Sequence, residues 1–147
     1  TVVACKEDTM SSSTTTLRLR PELRDQINRL AKRHRRSFSE TAQDLMEEAL
    51  RLRLCPGVYF TDEVAGRIAK VSGTGLAVWE VIRDYLDLRQ DEAALRAQFP
   101  HLSPAQIQAC LLYYGKYREE IDEAIAENRG LTWPAIQERL GSLVRQA

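Results

Sequence analysis

The chain has 147 residues, with 21 Lys or Arg balanced by 21 Asp or Glu, so its formal net charge is zero. That length suits one medium domain or two small ones, and 44% hydrophobic with 29% charged residues suits a packed protein rather than a disordered or fibrous one. No apolar run approaches the ~18 residues of a membrane span, and Thr1 to Thr9 lack the apolar stretch of a signal peptide. The three cysteines, Cys5, Cys55 and Cys110, are too scattered for a disulfide framework or a CxxC metal site. The expected setting is a reduced, cytoplasmic one without membrane contact.

The zero net charge hides an uneven distribution. Between Arg18 and Arg36 stand eight Lys or Arg against two acids, Glu22 and Asp25, whereas acids outnumber bases from Arg118 onward. A basic block and an acidic stretch imply two partners of different charge. In chain order, residues 1–13 read as a flexible arm or an upstream leader, with Met10 a candidate natural start and a polar Ser/Thr run from Ser11 to Thr15. Thr14 to Arg20 then alternates, with Thr16, Arg18 and Arg20 on one face and Leu17 and Leu19 on the other, which is the period of a strand. Pro21 suits the first turn of a helix, and Leu23, Ile27 and Leu30 give that helix one apolar face before it fades in Arg33-His34-Arg35-Arg36.

A second helix is expected near Ser37, because Ser37 and Glu40 have the spacing of a capping box. Ala42, Leu45, Ala49 and Leu52 continue it, and Pro56-Gly57 stops it. Val58-Tyr59-Phe60 reads as a short strand, followed by a loop region punctuated by Gly66, Gly73 and Gly75. A third helix is expected from Ala77 to about Leu88, and a short fourth one capped by Asp91 with Leu95 and Phe99 on one side. Ser103, Pro104 and Gln106 start a fifth, for which Ile107, Leu111 and Tyr114 form the predicted buried stripe and Gln106, Gln108 and Lys116 point outward. Glu119 to Asn128 reads as another short helix ended by Gly130, and Thr132 to Val144 as an amphipathic one carrying Trp133, Ile136, Leu140 and Leu143 on one face. The fold class is therefore mainly α. The expected divisions are 14–55, 56–128 with a helix-turn-helix pattern at Glu92–Tyr114, and 129–147.

A lone strand followed by two helices is unstable by itself, since the strand's donors and acceptors have no partner. Two chains pairing their strands antiparallel remove that problem. Leu17, Leu19, Leu23, Ile27, Leu30, Leu45 and Ala49 then form a shared dimer core. A two-stranded ribbon enters the DNA major groove, where arginine can donate bidentate hydrogen bonds to guanine worth roughly 1–3 kcal/mol of discrimination. The competing reading is a half-exposed edge strand whose arginines are solvated.

The run Thr16-Leu17-Arg18-Leu19-Arg20-Pro21-Glu22-Leu23, followed by Ser37-Phe38-Ser39-Glu40 and an Ala/Leu helix, resembles the ribbon-helix-helix family over about Thr14 to Leu54. The resemblance implies a homodimer or higher oligomer bound to double-stranded operator DNA. In it Thr16, Arg18 and Arg20 face bases, while Ser37, Phe38 and Ser39, with Arg36 beside them, face phosphate, as helix starts favour anions. One departure is that Arg35 stands where the family's turn usually carries glycine.

Further on, Pro56-Gly57-Val58, Gly66-Arg67, Gly73-Thr74-Gly75, Val78-Trp79-Glu80-Val81, Leu102-Ser103-Pro104 and Tyr113-Tyr114 through Glu120-Ile121-Asp122 resemble the antitoxin-associated domain of unknown function 433. That family is similar to winged helices. The resemblance implies the antitoxin of a type II toxin–antitoxin pair, which represses its own operator and neutralises a PIN-like ribonuclease toxin. The alternative is a stand-alone ribbon-helix-helix regulator without a toxin. The helix carrying Trp133, Ile136, Leu140 and Leu143 has the anchor spacing of a helix laid in a partner's groove, and its two readings are toxin binding and docking on its own domain. Catalytic residues are not expected. His34 and His101 have no ligand or triad partners at the right spacing, Gly73-Thr74-Gly75 lacks the lysine of a phosphate loop, and no metal or cofactor is called for.

Overall fold

A computed structural model describes residues 13–64 and 66–130. Its elements in chain order are α1 (Pro21–His34), α2 (Phe38–Leu54), β1 (Val58–Glu63), β2 (Gly66–Val71), α3 (Val78–Asp87), α4 (Glu92–Gln98), α5 (Pro104–Lys116) and α6 (Arg118–Arg129). The protein is thus mostly helical with one small antiparallel sheet. By packing it divides into two units, Thr1–Asp44 and Leu45–Ala147, and the division falls within α2.

In the first unit, Pro21 occupies the start of α1, where its missing N–H is no loss, and Lys32, Arg33 and His34 sit in the last turn, where cations suit the helix dipole. The helix closes on Arg35, whose backbone is left-handed at φ 54°, ψ 41°. The Arg36 N–H then reaches back to the Ala31 carbonyl at 2.9 Å and that of Arg35 to Lys32 at 3.3 Å, satisfying carbonyls the helix end would leave open. The arginine thus adopts the conformation that glycine usually supplies, at a cost of roughly 1 kcal/mol. Ser37 opens α2 as expected. Its hydroxyl accepts from the Glu40 N–H at 3.2 Å, and the Glu40 carboxylate accepts from the Ser37 N–H at 3.0 Å.

Residues 13–20 differ from the sequence expectation: in the single chain they form no strand. The physical reason is that a strand needs a hydrogen-bonded neighbour, and among the described residues this segment has none.

In the second unit β1 and β2 pair antiparallel from Val58↔Val71 to Glu63↔Gly66. The region expected as a Gly-punctuated loop is therefore half strand. Gly66 belongs to the hairpin's return, with a left-handed φ of 121°, and Arg67 to Val71 alternates too weakly in hydropathy to have stood out. The turn at Gly73 to Gly75 holds itself together: the Thr74 hydroxyl donates to the Val71 carbonyl at 2.9 Å and accepts the Leu76 N–H at 3.1 Å. The Glu80 carboxylate takes the Ala77 N–H at 2.8 Å at the start of α3. Asp91 caps α4 through the Ala93 and Ala94 N–H groups, and Ser103 with Gln106 boxes α5.

The core of this unit gathers Val58, Val71, Val78, Val81, Ile82, Leu95, Ile107, Cys110, Tyr113, Ile121 and Ile125. On α5 the buried row is Ile107, Cys110 and Tyr113, not Ile107, Leu111 and Tyr114 as the sequence suggested; Leu111 and Tyr114 are only half-buried at its edge. Steps of three and of four both follow a helical face, and the tyrosine pair at 113 and 114 lets either register look apolar. Gly57, with φ 96°, lies against α5 so closely that a Cβ there would sit 2.8 Å from the Ala109 Cβ.

Candidate nucleic-acid interface

Between residues 13 and 44, eight Lys or Arg face four acids, Glu22, Asp25, Glu40 and Asp44. The basic residues are Arg18, Arg20, Arg24, Arg29, Lys32, Arg33, Arg35 and Arg36, and all are exposed. Among the described residues only Arg36 of this set forms an ion pair, with Asp44. Both side chains are about half exposed, and such surface pairs contribute only ~0–1 kcal/mol.

The three residues expected to face bases are placed on open backbone. Thr16 and Arg18 lie in the irregular segment, and Arg20 flanks α1 with an extended backbone at φ −63°, ψ 143°. The residues expected to face phosphate come together at the start of α2. There the Ser37 N–H is taken by Glu40, while the Phe38 and Ser39 N–H groups meet no acceptor among the described residues. The Ser39 hydroxyl accepts from the Gln43 amide at 3.1 Å. The hydrogen bonds from the Ser37 hydroxyl and N–H hold the Glu40 carboxyl below the usual carboxylate range, with the Arg36 charge adding to them. Among the described residues this turn thus combines two amides without an acceptor, the Arg36 cation and one fixed carboxylate.

The residues expected in the shared core are mostly uncovered in one chain. Ile27 is buried, Leu19 and Leu30 are half-buried, and Leu17, Leu23, Leu45 and Ala49 are exposed, Leu17 to 65%. Trp133, Ile136, Leu140 and Leu143 lie outside the described residues.

Between residues 45 and 130 the second unit carries fourteen acids against ten bases. On α5 two of the polar residues expected to point outward are already engaged. The Gln106 amide donates to the Ser72 carbonyl at 2.9 Å and that of Gln108 to Glu92 at 3.1 Å, which leaves Lys116. Gln106 in particular is a structural tie between α5 and the turn after β2. Sequence reasoning also missed a polar cluster beneath α2. The Tyr113 hydroxyl donates to Glu120 at 2.7 Å and accepts from Arg51 at 2.9 Å, and Arg51 pairs with Glu120 and Glu47 while lying 4.4 Å over the Tyr117 ring. Burial, then the bond to Glu120, push the Tyr113 phenol well above its ordinary value. Burial works against the Arg51 charge, but its bonds to Glu120 and Glu47 prevail and hold it charged. No local sequence pattern could have joined residues so far apart.

His34 and His101 are exposed, His101 edge-on to Phe99 at 5.9 Å. Among the described residues no group of three or more His, Cys, Asp or Glu could hold a metal ion, and no helix is long and apolar enough to cross a membrane. Cys55 and Cys110 are buried free thiols, and burial pushes Cys110 up to about 12.

A family model described as "Protein of unknown function (DUF433)" matches residues 58–114, the segment from the hairpin through α3 and α4 into α5. No curated protein and no solved structure matches the chain.

Proposed function

We propose that this chain is the antitoxin of a type II toxin–antitoxin pair, with an N-terminal ribbon-helix-helix half that binds operator DNA as a homodimer or higher oligomer. It represses its own transcription and neutralises a cognate, PIN-like ribonuclease toxin by protein–protein contact.

The observation that carries the DNA-binding half is the uncovered apolar set in the first 50 residues. Leu17, Leu23, Leu45 and Ala49 are exposed in one chain beside eight exposed cations. Leucines so placed gain ~1.5–3 kcal/mol each on full burial, and antiparallel pairing of 16–20 with a second copy supplies both the cover and the missing backbone partners. The pairing leaves Thr16 and Arg18 on the outer face of a ribbon of the width a major groove accepts. The left-handed turn at Arg35 and the boxed start of α2 at Ser37 support the same reading, since they bring Arg36 and two amides that meet no acceptor among the described residues to one place. The toxin-neutralising half is supported by the resemblance of the second unit, over which the family match falls, and by the anchor spacing of Trp133, Ile136, Leu140 and Leu143.

Isolation of the tagged chain from its native cell tests both halves. The antitoxin reading expects a stoichiometric small protein with ribonuclease activity that is silent until the two are separated. It also expects a protected upstream DNA segment made of two symmetric half-sites, since a two-fold dimer reads a palindrome. A chain that protects such DNA but arrives without a protein partner is the stand-alone regulator. A chain that protects none is neither.

A further inference from the structure

Helix stability does not account for the aspartate at position 44. Asp44 is the seventh residue of α2, past the first turn in which the helix dipole favours an acid, and aspartate is a poor helix former. Glu40 and Glu48 stand four residues to either side of it, a spacing at which like charges on a helix repel. Among the described residues its carboxylate bonds to one partner, the Arg36 guanidinium. The two side chains are 53% and 46% exposed, and an ion pair so open to water does little for the fold.

The pair does, however, occupy one particular cation. Of the eight Lys or Arg between residues 13 and 44, Arg36 is the one that forms an ion pair among the described residues. It is also the one nearest in sequence to the start of α2, two residues before Phe38. There the Phe38 and Ser39 N–H groups meet no acceptor among the described residues. A carboxylate and a phosphate ask the same thing of a guanidinium, since both accept its forked N–H donors. An Arg36 engaged with Asp44 has fewer donors left for phosphate, and the Asp44 charge repels any phosphate that Arg36 draws in.

We infer that Asp44 is an internal competitor for phosphate: by holding Arg36 it weakens one backbone contact in each protomer and lowers affinity for DNA of any sequence. The inference rests on the reading of the first unit as a DNA binder. Phosphate contacts carry affinity without sequence information, whereas base contacts specify. The carboxylate therefore lowers binding to all duplexes alike and leaves the choice between them to the ribbon.

Asp44→Asn keeps the shape of the side chain and removes its charge. Its binding to a duplex carrying the chain's own upstream DNA and to a scrambled duplex, measured by fluorescence anisotropy across a range of salt, tests the inference. The variant is expected to bind both duplexes several-fold more tightly than the wild type and by the same factor. The slope of log affinity against log salt should steepen by up to ~0.9 for each protomer bound. In an Arg36→Ala background the same substitution should do much less, because no guanidinium is released. Equal affinity and slope in wild type and Asp44→Asn overturn the inference and leave the DNA reading standing. A variant that melts lower and binds no more tightly shows a pair that serves the fold, and overturns it too. An equal gain in the Arg36→Ala background contradicts action through Arg36. Absence of binding by wild type and variant to either duplex removes the DNA reading and this inference with it.

Discussion

Arg51 and Tyr113, 62 residues apart in sequence, meet at 2.9 Å between guanidinium and phenol, and that contact ties the last turn of α2 to the last turn of α5. Tyr113 is fully buried, and its hydroxyl is satisfied only because Arg51 and Glu120 close around it. Removing Arg51 leaves Glu120 without its cation and Tyr117 without the guanidinium over its ring. Arg51→Ala is therefore expected to destabilise the second unit by about 2 kcal/mol, and Tyr113→Phe by about 1 kcal/mol. Because both act through one network, the double variant should lose less than the sum. Urea unfolding followed by circular dichroism measures all three, and strict additivity would argue against a shared network.

Gly57 makes a sharper steric prediction. Its left-handed φ and the 2.8 Å approach to Ala109 both penalise a side chain. Gly57→Ala is expected to cost roughly 1–3 kcal/mol from strain alone, with more from the clash. Adding Ala109→Gly should recover the clash but not the strain. Full recovery in the double variant would mean that the backbone there is not held left-handed.

Arg35 predicts the opposite sign. Its left-handed backbone suits glycine, so Arg35→Gly should raise stability by up to about 1 kcal/mol if the side chain does nothing else in the fold. A thermal melt of the purified variant reads this directly. A lower melting temperature would show that the Arg35 side chain holds the turn.

The capping box at α2 predicts a pH dependence. Hydrogen bonds from Ser37 lower the pKa of Glu40 in the folded chain relative to the unfolded one. The stabilisation is thus present above the unfolded-state value and is lost as pH falls through the folded one. Wild type should be more stable than Glu40→Gln at neutral pH, and the gap should close on acidification through the carboxylate range. A gap that stays constant with pH would remove the charge of Glu40 from the account. Ser37→Ala is expected to cost about 1 kcal/mol.

Local signals were legible where local chemistry decides. Ser37 with Glu40, Asp91, and Ser103 with Gln106 each announced a helix start that the structure contains, and Gly130 ends α6 as the sequence suggested. The return strand of the hairpin escaped because Gly66-Arg67-Ile68-Ala69-Lys70-Val71 has few large apolar residues, and its pairing with β1 is a tertiary fact. The inward face of α5 was misjudged by one residue, as Tyr113 and Tyr114 are adjacent and equally apolar, and only the tertiary packing that buries Tyr113 and leaves Tyr114 at the core's edge chooses between them. The Arg51–Tyr113–Glu120 cluster was invisible for the same reason. Within the candidate interface, the sequence supplied the cations and the cap, but the Arg36–Asp44 pair became apparent only once the first turns of α2 brought them together.

The direct test of the central claim is the binding of wild type and Arg18→Ala to a duplex carrying the chain's own upstream DNA and to a scrambled duplex, measured by fluorescence anisotropy across a range of salt. The wild type is expected to prefer its own duplex. Arg18→Ala should lose roughly 1–3 kcal/mol of that preference while keeping its fold, and the affinity that remains should fall steeply with salt. Equal preference in wild type and Arg18→Ala, or no preference in either, would contradict a ribbon that reads bases through residues 16–20.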